Sequence, residues 1–598
     1  MLLFLLLTVA GLLLVRYVQI QLFQGRSCAR KAKKQHQAVK TLHAERGTMF
    51  DRQGRALTKN CSACSILFWP AEMRKLDQEE RDRGIRRDRS RAERVASLVG
   101  RFGLGDSDAV RRQLETRDGF YCFASGVDYT KGESLHIALV GQGLNDWAVV
   151  TEQHDRAYPY GETVARLVGH VQRGEDAGEG RAGLELFYDS LLTGSPGWVR
   201  MHKDRVGFHL VDPAFPRKEP VHGADINLTI DLDVQEGCYR ALAQVVDETR
   251  AISGSAVVLD ARTGAVLAMC DYPSYVPEEY GRHPDRHRCA AVADLIEPGS
   301  SFKVVIAAAA LEDENPGAHT RRLYDVSDGA ITIQGRRIGD VHRHGVLSFD
   351  SLLILSSNPG VAMLAQEVAP ERFYRTAREL GFGEPVGIGL PGEAKGMLDR
   401  PGRMTPLRRA NMAFGQGVAV SLLQMAGAYL CIANEGKYLR PYLVESMTRG
   451  TDTLYRFGRA ELRQALKPVT ARRLKRILGR VVTEGTGPQA AIRDVAVCGK
   501  TGTAQKLEWN ATHTRKVYSD TKSLMSFCGF LPREDPRYVI AVMVDEPKTM
   551  RFASSVACPA FRDIGLDVLA LERLRKGQAV AAIDIETEEE AELVVTSR

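Results

Sequence analysis

The sequence predicts an α+β or α/β sandwich domain behind a separate leading domain and one apolar N-terminal helix. Three observations predict this. The chain begins with an almost unbroken apolar run. Its character changes near Asp225, where Gly- and Pro-broken segments give way to clear strand patterns. Beyond that point strand candidates at both ends enclose a helical middle, the arrangement of a layered sheet-and-helix domain.

Met1 to Val15 is apolar except for Thr8 and Gly11, and the pattern resumes after Arg16 at Tyr17, Val18, Ile20, Leu22 and Phe23. A helix to Phe23 is about 35 Å long at ~1.5 Å per residue, enough to span hydrocarbon. No small-x-small site follows, and the Gly-Arg-Ser-Cys around Cys28 is a poor lipidation site, so an uncleaved anchor is expected over a signal peptide. The cluster Arg26, Arg30, Lys31, Lys33 and Lys34 lies after the run, although positive charge usually marks the cytoplasmic side. A basic tail ahead of Met1 would reconcile the two.

At 598 residues, 44% hydrophobic and 26% charged, the chain has the composition of a water-folded protein with at least two globular units. Its net charge of +7 comes from 81 basic and 74 acidic residues with no aromatic-basic module, so nucleic acid is not expected as a partner. Eleven cysteines at irregular spacing form no disulfide framework. Cys61-Ser-Ala-Cys64 lacks a second pair for zinc and reads as ordinary strand or loop residues, with a local disulfide left open.

The expected division is an anchor over 1–23, a leading domain over 24–222, a second domain over 223–575 and an acidic tail over 576–598. In the leading domain, the mixed charges of Glu79 to Arg94 read as a solvated helix face. In the second, Ile226–Ile230, Ser255–Leu259 and Val266–Met269 read as strands, and Phe302–Leu311 and Gln424–Ala433 as helices. Val495–Cys498, Leu524–Phe530 and Tyr538–Val544 read as strands again.

The chemistry concentrates in three short segments. Ser300-Ser-Phe-Lys303 follows Glu297-Pro-Gly299, which places Ser300 at a helix N-terminus and Lys303 one turn on, on the same face. A serine hydroxyl needs a base, and a lysine serves when burial or a second cation depresses its pKa; Lys500 is the candidate second cation. Alone, a Ser-x-x-Lys occurs roughly once by chance in a chain this long, and a helix cap explains it equally well.

Ser356-Ser-Asn358 and Lys500-Thr-Gly-Thr503 change those odds. The order Ser-x-x-Lys, Ser-x-Asn, Lys-Thr-Gly is the signature set of serine β-lactamases and penicillin-binding proteins. Ser356 can relay a proton to a leaving amine, and Asn358 can hold an acyl peptide. Thr501 and Thr503 offer hydroxyls to a substrate carboxylate near Lys500, and Gly502 lets a substrate backbone lie close. The backbone N–H groups of Ser300 and Thr503 are the expected oxyanion hole.

With these segments in place, the sequence resembles a class B penicillin-binding protein from the anchor to about residue 570. Arg46-Gly-Thr-Met-Phe-Asp-Arg-Gln-Gly54, Tyr158-Pro-Tyr-Gly161, Gly169-His-Val171 and Gly183-Leu-Glu185 resemble motifs of the family's N-terminal pedestal. Leu228-Thr-Ile-Asp231, Leu390-Pro-Gly-Glu393, Phe414-Gly-Gln-Gly417 and Gly499–Gln505 resemble those of its transpeptidase domain. Two positions depart from the pattern: Ser301 replaces the usual Thr, and Ser554-Ser555 stands where a Gly pair often precedes the segment ending at Pro559.

The resemblance implies a mostly antiparallel sheet flanked by helices, an elongated pedestal and one transmembrane helix. It implies cross-linking of peptidoglycan stem peptides through a Ser300 acyl-enzyme, inhibition by β-lactams, and no metal or organic cofactor. Ser356-Ser-Asn-Pro359 and Glu297 are similar to the septal, FtsI-type and sporulation groups, which implies work at the division septum. A SEDS-type glycosyltransferase and other division proteins are the implied partners, with the catalytic domain outside the cytoplasmic membrane. Kept beside this are a hydrolase with the same residues, either a D,D-carboxypeptidase or a β-lactamase, and a non-catalytic β-lactam sensor or division scaffold.

Overall fold

The computed structural model describes residues 1–24, 26–27, 37–172, 178–203, 209–211, 215–509 and 516–577. Cys28, four of the five residues of the basic cluster and the acidic tail from residue 578 lie outside the described residues. Helix α1, Leu2–Val18, has exposed side chains from Phe4 onward and continues as a wider turn over Gln19–Gln24. Its apolar surface is not buried among the described residues, and it is long and apolar enough to cross a membrane.

By contacts the chain divides into two compact units. The smaller holds residues 1–47, 190–225 and 449–451; in it Gln37–Leu42 pairs antiparallel with Gly197–Lys203. The larger holds the rest.

The larger unit begins with a three-stranded sheet in which β1 (Lys59–Phe68) runs antiparallel between β2 (Tyr121–Asp128) and β3 (Ala148–Ala157). Helices α2 (Arg91–Arg101) and α3 (Tyr129–Gly141) share a core with it around Phe68, Val95 and Leu135. Cys61 and Cys64 both sit on extended β1, whose rise of ~3.3 Å per residue separates their Cα atoms by about 10 Å, too far for a disulfide.

The charged run Glu79 to Arg94 is not one solvated helix face. A helix ends at Asp82 and α2 starts after a capping box, in which Glu93 N–H donates to Ser90 Oγ at 3.1 Å and Ser90 N–H to Glu93 Oε2 at 2.9 Å. Arg91, 6% exposed, pairs with Asp77 and Glu80. Those carboxylates offset part of the cost of burying its charge.

The motif residues upstream of the catalytic candidates bind one another. Arg156 and Glu185 form a buried ion pair at 2.8 Å, and Val171 N–H donates to Tyr158 Oη at 2.9 Å. Buried Asp51 accepts from Arg55, which also pairs with Asp233 at 2.6 Å. A Cβ at Gly183 (φ +56°) would meet Gly169 N at 2.5 Å, so only glycine permits that approach.

After helix α4 (Leu232–Thr249) come β4 (Ser253–Asp260) and β5 (Val266–Tyr272). The helical middle follows: α5 (Lys303–Leu311), the hairpin β6 (Ala330–Ile333) and β7 (Arg336–Gly339), α6 (Asn358–Glu367) and α7 (Leu422–Ala433). The chain returns to the sheet with β8 (Cys498–Trp509), β9 (Lys516–Leu531) and β10 (Tyr538–Asp545), and closes with α8 (Ala553–Arg575).

These strands form one five-stranded sheet of order β5-β4-β10-β9-β8, antiparallel at every junction. That decides between the two sandwich classes in favour of α+β. Ala256 and Val258 on β4 join the core made with α4 and α8, while Val257 and Leu259 on the other face are equally buried and α7 packs there. A sheet covered on both faces explains the near-continuous apolar runs of β4 and β10. Ile226–Ile230 instead becomes a short strand, Asp225–Leu228, in a separate small sheet.

Candidate active site

Ser300 stands on a tight turn, Gly299–Phe302, that leads directly into α5. Gly299 has φ +56°, and a Cβ there would lie 2.8 Å from Thr503 O, so the turn packs directly on β8. Gly299 N–H donates to Gly415 O at 3.1 Å, and Gly417 N–H donates to Glu297 Oε1 at 2.9 Å. The Phe414–Gly417 segment therefore braces the Ser300 turn from one side and β8 from the other.

Lys303, the first residue of α5, is fully buried. Its Nζ donates to Asn358 Oδ1 at 2.8 Å, to Ser356 Oγ at 3.2 Å and to the Ser356 carbonyl. No hydrogen bond joins it to Ser300 Oγ among the described residues, and such bonds commonly tighten only when substrate is present.

Ser356 has φ +59°, a left-handed conformation that costs a non-glycine residue about 1–3 kcal/mol. The twist aims its hydroxyl between two lysines, since Lys500 Nζ donates to the same Oγ at 2.9 Å. Ser357 caps α6 by accepting from Gly360 N–H at 3.1 Å, and it donates to Asp340 Oδ2 at 2.6 Å; Asn358 N–H donates to Asp340 Oδ1 at 2.6 Å. Asp340, just past β7, thus holds the whole Ser356–Asn358 corner.

Lys500 is fully buried on β8, and Thr501 Oγ1 and Thr486 Oγ1 lie 2.6 Å apart beside it. Burial pushes the Lys500 ammonium down to about 7. Lys303 is held well below the ordinary lysine range, first by burial and then by the Lys500 charge, with Asp340 opposing. Two buried ammonium groups facing one hydroxyl cannot both stay charged, so one of the two lysines gives up its proton.

Ser300, Ser356, Asn358, Thr501 and Thr503 line one cleft of about 1050 Å³, with Lys303 and Lys500 reaching it through their bonds to Ser356. The three sequence segments thus converge. Gly502 differs from expectation in its reason. A Cβ there would meet Ser526 Oγ at 2.4 Å, Pro298 O at 2.8 Å and Ser301 Oγ at 3.0 Å. Glycine is required because β8 lies against the Ser300 turn on the side away from the cleft. Ser301 at its departure position donates to Pro298 O at 2.7 Å and so stiffens that turn.

Sequence reasoning missed Asp340 and Thr486. Neither belongs to a short motif, and their roles arise from segments remote in the chain. The only sequence signal for Asp340 is that a carboxylate precedes two adjacent donors, Ser357 and Asn358, that need an acceptor.

Compared with known proteins, residues 254–565 match the penicillin-binding protein transpeptidase domain and residues 41–228 the penicillin-binding protein dimerisation domain. The chain belongs to the penicillin-binding protein transpeptidase family, in its class B, in which a dimerisation domain precedes the transpeptidase domain. It is 32% identical to penicillin-binding protein PbpB of Mycolicibacterium smegmatis, over 93% of this chain and 88% of that one. It is 31% identical to a probable peptidoglycan D,D-transpeptidase, PenA, of Neisseria meningitidis, over 91% and 88%. Among solved structures, penicillin-binding protein 3 of Mycobacterium tuberculosis in complex with aztreonam matches with a TM-score of 0.65 and 26% identity, over 90% of this chain and 97% of that one.

Proposed function

We propose that this protein is a serine-type peptidoglycan D,D-transpeptidase that cross-links stem peptides at the division septum and is acylated by β-lactams. The observation that carries the reading is Ser356 Oγ held between Lys303 and Lys500 in the cleft that Ser300 lines.

Neutral Lys303 takes the Ser300 proton as Oγ attacks the carbonyl of the penultimate D-Ala. The backbone N–H groups of Ser300 and Thr503 receive the developing oxyanion. Ser356 passes a proton to the departing D-Ala amine, and Lys500 is the source from which its own proton is replaced. Asn358 uses its oxygen on Lys303 and one amide N–H on Gly339 O, leaving its second amide N–H for the donor peptide. Thr501 and Thr503, with the Lys500 charge behind them, hold the terminal carboxylate. An amine of a neighbouring stem then attacks the ester and gives its proton through Ser356 back to Lys500, while Lys303 returns its proton to Ser300 Oγ as the ester C–O bond breaks, which restores the hydroxyl and leaves the new amide.

The same reading makes α1 a single-pass anchor with the catalytic domain outside the cytoplasmic membrane, and a SEDS-type glycosyltransferase the working partner. It keeps the division into anchor 1–23, pedestal 24–222, transpeptidase domain 223–575 and tail.

The test is labelled penicillin: one equivalent per chain is expected on Ser300, hydrolysed slowly and absent from Ser300→Ala. Labelling of that variant overturns the assignment of the nucleophile, and rapid turnover of the drug overturns transfer in favour of hydrolysis.

A further inference from the structure

One wall of the cleft is made by the β6–β7 hairpin and the loop that follows it, and this wall is cationic. Its charge is that of Arg336 and Arg337, which line the cleft. Both arginines are exposed, and among the described residues neither has a carboxylate within ion-pair distance. Among the described residues the single carboxylate in the cleft lining is Asp340, and both its oxygens accept hydrogen bonds from Ser357 and Asn358. Asp340 is therefore committed to the Ser356 corner, and neither arginine is hydrogen-bonded to it among the described residues.

The hairpin is a fixed platform. Its register pairs Ile333 with Arg336 across Gln334 and Gly335, both at positive φ, the conformation of a tight two-residue turn. Gln334 Oε1 accepts from Leu407 N–H at 3.2 Å, which pins the turn to the facing helix. At the other end, Gly339 O accepts from Asn358 Nδ2 at 3.4 Å. The guanidinium groups are thus carried on the side of the cleft where Asn358 stands.

We propose that Arg336 and Arg337 form a subsite for a second carboxylate on the peptide substrate, distinct from the terminal carboxylate that faces Thr501 and Thr503. This rests on the transpeptidase reading above. Planar guanidinium groups bind carboxylates bidentately, and an unpaired pair at a cleft edge selects substrates by charge. The ligand is a stem peptide with a free carboxylate on a residue other than its C-terminal one, in the donor or the acceptor strand.

The experiment uses the full-length protein in detergent and two pairs of synthetic peptides. One pair is D-Ala-D-Ala donors with a side-chain carboxylate free or amidated; the other is acceptor amines with the same difference. The ratio of acylation rates within the donor pair, and of transfer rates within the acceptor pair, should favour the free carboxylate by roughly five- to ten-fold at low salt. In an Arg336→Gln, Arg337→Gln double variant, checked for folding by its thermal midpoint, the ratio should fall toward one. Preference in the donor pair places the carboxylate on the donor, and preference in the acceptor pair alone places it on the acceptor. Ratios near one in the wild type for both pairs, or a ratio unchanged in the double variant, overturn the subsite. Absence of any Ser300 adduct with benzylpenicillin in the wild type would instead fail the transpeptidase reading.

Discussion

Ser356 Oγ lies 2.9 Å from Lys500 Nζ, two residues 144 positions apart in the chain that meet because Ser356 adopts a left-handed backbone. That one contact links the sheet to the helical middle, and it puts a hydroxyl where two lysines with depressed pKa values can share a proton.

Replacing Lys303 by Met removes the base. Acylation of Ser300 by benzylpenicillin should slow by about 10²–10⁴-fold, the usual contribution of a positioned general base. A stopped-flow rate within threefold of wild type would mean that another group takes the Ser300 proton.

Replacing Lys500 by Met should raise the thermal midpoint while slowing acylation. Burial lowers the pKa of the folded chain's Lys500 to about 7, against an ordinary lysine value of 10.5. As pH falls from about 10.5 to about 7 the unfolded chain takes up a proton that the folded chain does not, so stability is lost over that window. Differential scanning calorimetry at pH 7 and pH 10 checks this: the wild type should gain stability at the higher pH, and the variant should gain less.

Asp340→Asn weakens two charge-assisted hydrogen bonds, each worth about 1.5–3 kcal/mol. The Ser356 corner should loosen, lowering the thermal midpoint and slowing acylation together. Loss of stability with an unchanged acylation rate would show that Asp340 supports the fold but not the aim of Ser356.

Gly502→Ala introduces a Cβ 2.4 Å from Ser526 Oγ and 2.8 Å from Pro298 O. Overpacking of this kind costs about 1–3 kcal/mol, and relief here requires β8 to move from the Ser300 turn. The variant should lose acylation, and Gly502→Ala combined with Ser526→Ala should recover only part of it, because the backbone oxygen stays.

His170 is buried, stacked on Tyr280 with ring centres 4.4 Å apart, and its Nδ1 lies 3.0 Å from Tyr275 Oη. Burial, assisted by His287, pushes it down to about 4 from 6.5. The unfolded chain therefore binds a proton first, and stability falls as pH drops from about 6.5 to about 4. In His170→Gln the decline over that window should be shallower; an identical pH profile by urea denaturation would remove His170 as its source.

Much of this site is legible in the sequence because catalytic chemistry demands particular residues at short spacing. Ser300 and Lys303 share a helix face, Ser356 and Asn358 flank a cap, and Thr501 and Thr503 alternate to one side of a strand, all consequences of local periodicity. The helix over Gln424–Ala433 is legible for the same reason, with Ser421 and Gln424 completing a capping box. The Glu79–Arg94 run departs from its sequence pattern because local charge cannot show that Arg91 is buried against Asp77 and Glu80.

The sequence by itself determined the order of the three motif segments, the apolar N-terminal helix and the layered sheet-and-helix character of the second domain, since all three are written in residue type and short-range pattern. Tertiary structure alone decided that Asp340 anchors the Ser356 corner, that Gly502 packs β8 on the Ser300 turn, that β4, β5 and β8–β10 form one antiparallel sheet, and that two buried lysines meet at Ser356 Oγ. The reason is physical. Burial, close approach and the coupling of two charges depend on distances between segments far apart in the chain, and no local pattern carries those distances.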